Sequence, residues 1–249
     1  MNNARLLIIL ALVGLVIAGT PTSAQQMFPM SKGATWTYSA RVKWDKNGAQ
    51  PGGVRTLTWT STIVDSYSKD DLSMALLHGG PWDLAFYSPG KKPSDYAIVR
   101  DGDTYYFIPS GAQLIFNEIK AGKTTDLASS LAGDIWFRVP MEISDDFCAP
   151  GMEENAPFNC WSVEKITQTH SLRIPGFRLK SATEYFLALL TNPDTTTMTL
   201  VPGLGIVTWE YEHHGTISEA AVKLVSLHAG TPAPRVVRRK PGIQTRKVK

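Results

Sequence analysis

Thr35-Trp36-Thr37-Tyr38-Ser39-Ala40-Arg41-Val42-Lys43-Trp44 alternates without a break: the even positions are apolar or aromatic and the odd ones polar or basic. Successive side chains of an extended chain point to opposite faces, so this stretch is a half-buried β-strand with one face on a core. Residues 54–65 repeat the pattern, with Leu57, Trp59 and Ile63 on one side and threonines on the other. Between the two lie Asn47-Gly48 and Pro51-Gly52-Gly53, which is turn chemistry. A long antiparallel hairpin is predicted.

Outward from this hairpin, shorter strands are predicted at 72–78, 84–87, 96–100 and 104–109, the last pair separated by Asp101-Gly102. Residues 113–120 and 125–132, divided by Gly122, have helical composition. Strand chemistry returns at 135–139 and 160–169. A meander follows at 182–190, 195–201, 206–212 and 220–228, with turns at Asn192-Pro193-Asp194 and Pro202-Gly203-Leu204-Gly205. No fixed-period repeat is present. The predicted fold is mainly β: one antiparallel curved sheet or half-open barrel over 25–228, with a short helical insertion covering one opening.

The ends of the chain differ from its body. Arg5, the thirteen-residue apolar run Leu6 to Ala18 and the small residues Thr22-Ser23-Ala24 read as a secretory signal peptide over 1–24. The run is shorter than the roughly 17–25 residues needed to cross a bilayer. Residues 229–249 carry seven basic side chains (Arg235, Arg238, Arg239, Lys240, Arg246, Lys247, Lys249) and no acid, with Pro232, Pro234 and Pro241 among them. They are expected to form a disordered tail whose charge suits anionic envelope surfaces. Without leader and tail the body holds seventeen basic and twenty-two acidic residues. Export makes nucleic acid a poor partner, and the expected compartment is periplasmic or extracellular.

Cys148 and Cys160 are the only cysteines. In an exported chain an even count argues for a disulfide between them. A zinc site would want ligands at C-x₂₋₄-C spacing and a redox dithiol C-x-x-C, and neither is present.

Chemistry-bearing motifs are few. The sequence has no G-x-S-x-G elbow, H-E-x-x-H, phosphate-binding loop or EF-hand, and no cofactor is implied. His213-His214 follows Glu210-Tyr211-Glu212, and on a strand Glu210, Glu212 and His214 share one face while Trp209, Tyr211 and His213 share the other. Glu212 and His214 are therefore candidate metal ligands for a metal-assisted hydrolase, completed by a distant residue. Seven tryptophans suggest a second idea. Trp36, Tyr38, Trp59, Trp209 and Tyr211 line either a cavity for an apolar ligand or a solid core, and pattern alone does not separate the two.

Pro29-x-x-x-Gly33-x-x-Trp36-x-Tyr38 and Pro202-Gly203-x-Gly205-x-Val207 resemble motifs of uncharacterised secreted or periplasmic bacterial β-proteins, as do the segments Cys160 to Glu164 and Tyr211 to Thr216. The resemblance implies an envelope β-protein and supplies no catalytic residue. The leading expectation is a non-enzymatic envelope protein binding an apolar or amphiphilic molecule, or another envelope protein. The alternatives are the metal-assisted hydrolase and an interaction protein with a solid core.

Overall fold

The alternation of the opening hairpin becomes the wall of a barrel. The computed structural model describes residues 26–46, 51–124, 126–175, 177–215 and 218–231. Among the described residues twelve strands form one sheet: β1 (Thr35–Trp44), β2 (Gly53–Lys69), β3 (Leu72–His78), β4 (Asp95–Asp101), β5 (Thr104–Ile108), β6 (Ile135–Arg138), β7 (Asp146–Cys148), β8 (Cys160–Ile174), β9 (Phe177–Leu190), β10 (Asp194–Val201), β11 (Gly205–His213) and β12 (Ser218–His228). Their order is β6-β5-β4-β3-β2-β1-β12-β11-β10-β9-β8-β7, antiparallel throughout. The first and last strands thus pair in mid-sheet, and the two edges, β6 and β7, are consecutive in the chain and approach each other. The result is an up-and-down barrel closed except along that seam.

Register sends the predicted faces where the pattern requires. Trp36 lies opposite Ser61 and Tyr38 opposite Trp59, and all four are buried. β3 and β4 are buried on both faces, which is why Met74-Ala75-Leu76-Leu77 and Tyr96-Ala97-Ile98-Val99 read as continuous rather than alternating apolar runs. Their outer face is covered by α1 (Ala112–Lys120), whose Phe116 and Ile119 pack on Met74, Leu76, Ala97 and Val99. The helices therefore cover the outer wall and not an opening, a correction to the sequence expectation. The second helix, α2 (Leu127–Ser130), is one turn capped by the Asp126 carboxylate, which accepts from the Ser129 amide.

Three further corrections concern the openings. Residues 84–87 are not a strand; they belong to a loop over 79–94 that begins with a 3₁₀ turn, Pro81–Leu84, and sets Phe86 at positive φ. Between residues 139 and 160, where no strand is predicted, lies the short edge strand β7. Finally, β8 and β9 run on past 169 and start before 182, pairing to Ile174 and Phe177 as a two-stranded arm. The expected signal peptide, the expected turn at Asn47-Gly48 and the expected tail beyond Thr231 lie outside the described residues. Among the described residues no helix is long and apolar enough to cross a membrane.

Candidate functional site: the barrel interior and its rims

The aromatic residues singled out by pattern converge on the interior and are buried there: Trp36, Tyr38, Trp59, Trp209 and Tyr211 are each at most 8% exposed. Chain from outside the wall joins them. Residues 26–30 cross the lower end, where β1 begins and β12 ends, and place Phe28 against Trp136 at 5.4 Å between ring centroids. The Gly203 and Gly205 amides donate to the Met27 carbonyl. Gly205 sits at φ +76°, and a Cβ there would lie 2.3 Å from the Phe28 ring, so only glycine fits this close approach. The Trp36 indole N–H donates to the Leu204 carbonyl at 2.6 Å, and the Tyr38 hydroxyl to that of Ile206 at 3.3 Å. The two motifs quoted above, far apart in sequence, are one packed unit.

The upper end is filled by the loop over 79–94. Its feet are joined by the Gly79 amide donating to the Ser94 carbonyl at 2.7 Å. Asp83, 2% exposed, holds the loop from inside: its carboxylate accepts from the Gly80 amide, the Ser94 amide and the Tyr96 hydroxyl, at 2.9, 3.2 and 2.5 Å. Burial, reinforced by this bond to a carboxylate, holds the Tyr96 phenol well above the ordinary tyrosine range. Trp82 follows Asp83 inward and meets Trp136 at 5.9 Å, edge to face. Since Trp136 also stacks on Phe28, upper loop and lower strap touch through a single ring. Phe28, Trp36, Tyr38, Ser61 and Trp82, among others, line a void of about 10 Å³. That is room for about one water molecule. The Ser61 hydroxyl and the Trp82 indole N–H are buried without a protein partner.

At the upper rim the predicted divergence of strand β11 is observed. Trp209 and Tyr211 point inward, while Glu210 and Glu212 are exposed. His213 and Tyr211 both donate toward the Asp194 carboxylate, at 2.5 and 2.9 Å, and the exposed Phe86 ring covers the pair. Burial, followed by Asp194, raises the Tyr211 phenol. His214 sits 3.0 Å from the Thr195 hydroxyl and 3.8 Å from the Glu212 carboxylate. Among the described residues no group of three His, Cys, Asp or Glu side chains is disposed to hold a metal ion. Glu212 instead faces Glu219 across the β11–β12 pair, and Glu219 is engaged by Lys43 at 2.6 Å. The Cys148–Cys160 disulfide is formed between directly opposed residues of β7 and β8.

The arm of β8 and β9 closes the lower end from outside. β10 pairs with β9 only from Tyr185 onward, and β7 pairs with β8 only up to Ser162, so the arm beyond is a ribbon. Leu172, Ile174, Phe177 and Leu179 on its underside pack on the barrel core. The Leu227 amide of β12 donates to the Pro175 carbonyl at its tip, at 3.3 Å.

Sequence reasoning missed Asp83, Asp194 and Phe28. Gly79-Gly80-Pro81 signals a turn, but the partners that bury Asp83 come from Gly80, Ser94 and Tyr96, which no local pattern links.

No protein-family model matches the sequence, and no curated protein matches it. Two solved structures share a distant likeness. One is a Bacteroides fragilis chain described as an exported protein with a YmcC-like fold: 11% identity, TM-score 0.40, over 82% of this chain and 99% of that one. The other is a Parabacteroides distasonis chain described as a lipoprotein: 9% identity, TM-score 0.39, over 82% and 99% of the two chains.

Proposed function

We propose that the chain is an exported bacterial envelope protein that works by binding, with the outside of its barrel rather than the inside. Export is supported by the leader-like sequence of residues 1–24 and by a disulfide, a bond that persists in oxidising compartments. The observation that carries the choice of surface is the filled interior. Phe28 and Trp82, supplied by the chain itself, enter between the aromatic walls, and the void they line there has about 10 Å³. Ligand pockets for small organic molecules run to several hundred Å³. The aromatic residues that pattern nominated as a ligand face therefore act as core, and the partner is an envelope macromolecule or surface.

Intact and native mass spectrometry of protein recovered from the periplasm tests this reading. The expected species starts near Gln25, contains one disulfide and carries no co-purified lipid. A stoichiometric lipid that survives gentle transfer, and is lost when Trp36 or Trp209 is replaced by Ala, would sink the filled-core reading.

A further inference from the structure

We infer that the outer face of the β8–β9 arm is a docking surface for an anionic phospholipid bilayer. The inference deepens the outside-binding reading by naming the partner. Arg173 and Arg178 are directly opposite each other across the arm, and Lys180 lies one outward position further along β9; all three are exposed. Like charges face to face on a two-stranded ribbon repel. Among the described residues none of the three forms an ion pair. Residues 165–183 contain no acid at all, in a body whose acids outnumber its basic residues. Arg173 and Arg178, with Ile174, Pro175 and Phe177, line an open depression of about 550 Å³ at the arm tip. Two unpaired guanidinium forks side by side suit the phosphodiesters of a lipid surface.

Where the chain leaves the structure favours a membrane over a soluble anion. The arm tip is bonded to Leu227, and the Thr231 amide donates to the carbonyl of Lys32, whose exposed side chain adds a further cation at this end. From there the sequence continues through 232–249 with its seven basic residues. The described chain also begins at this end, where the Gln26 carbonyl accepts from the Gly203 amide. The acidic turns at Asp70-Asp71 and Asp101 to Asp103 occupy the opposite sector of this rim, after β2 and β4. Docking is accordingly one-sided, with arm and C-terminal exit toward the lipid.

The test is co-sedimentation of the mature protein with phosphatidylcholine vesicles, with and without phosphatidylglycerol, at low and high salt. The expected result is binding only where phosphatidylglycerol is present, weakened by salt. Arg173→Gln with Arg178→Gln should weaken it about thirtyfold, at roughly fivefold per charge, with an unchanged melting curve. Removing 232–249 should weaken it further. Equal binding of wild type and the double variant, both with and without 232–249, would overturn the inference, and so would equal binding to neutral vesicles. Competition by inorganic phosphate beyond that of sodium chloride at matched ionic strength would show that the depression takes a free anion, and would also overturn it. A lipid found inside the barrel bears on the filled-core reading and leaves these vesicle outcomes distinct.

Discussion

At the upper end the barrel is closed from within, at the lower end from without, and the two closures rest on different physics. The loop over 79–94 is held by a buried carboxylate with three donors and by aromatic rings inside the wall. The arm of β8 and β9 is held by a half-buried apolar underside and a backbone bond at its tip. Polar satisfaction in a low-dielectric interior is all or nothing, because removing the acceptor leaves donors with no water to turn to. Apolar contact at a rim is graded, because a lifted side chain is simply rewetted. The upper closure should therefore behave as part of the cooperative core, and the arm as a cover that loosens by degrees.

The largest effect is expected at Asp83. Asp83→Ala orphans the Gly80, Ser94 and Tyr96 donors and should cost about 4 kcal/mol, read as a shift in the urea midpoint. A shift below about 1 kcal/mol would mean that the loop is not part of the core. Next comes the disulfide at the root of the arm. Replacing both cysteines by Ser should cost about 3 kcal/mol on the chain-entropy account, and an unchanged melting temperature would detach β7 from the stability of the barrel. Gly205→Ala drives a methyl group into Phe28 from a left-handed backbone and should cost about 2 kcal/mol, relieved when Phe28→Ala is added. If Phe28→Ala gives no relief, the contact is not what demands glycine.

Alkali sharpens the contrast. The Tyr96 phenol is held above its unfolded value, so its contribution to stability is intact below about pH 10 and is lost as pH rises toward the folded value, at about 1.4 kcal/mol per pH unit. Denaturation midpoints measured across that range should fall with this slope, and Tyr96→Phe should flatten it. An equal slope in the variant would refute the assignment. The smallest effect belongs to the arm. Phe177→Ala should cost about 1 kcal/mol, with faster amide exchange confined to β8 and β9 beyond Gln168. Exchange accelerating throughout the barrel would make the arm part of the core.

How legible this was in the sequence depends on where each residue finds its partners. β1 was readable to the residue, since alternation is local, and β10 to β12 nearly so, since their turns carry Pro, Gly and Asn. The arm was missed although Leu172-Arg173-Ile174 and Phe177-Arg178-Leu179-Lys180 alternate; the pairing across the ribbon shows Arg173 directly opposite Arg178 on the outer face. Residues 84–87 were misread as a strand because an apolar loop that enters a barrel has a strand's composition. The face of Trp36, Tyr38, Trp59, Trp209 and Tyr211 was legible as a set that turns out buried, but the proposal that it acts as core rather than cavity was not. That turns on Phe28 and Trp82 entering from opposite ends.

The pairing of β1 with β12 puts the first described strand beside the last described one. The Trp36 indole and the Leu204 carbonyl it bonds are 168 residues apart, and β12 comes later still. A vectorially emerging chain cannot complete such a wall until its final strand is free, so the early hairpin waits with one edge bare. In a vectorially emerging chain this connectivity acts as a clock: closure of the wall is deferred until β12 has emerged.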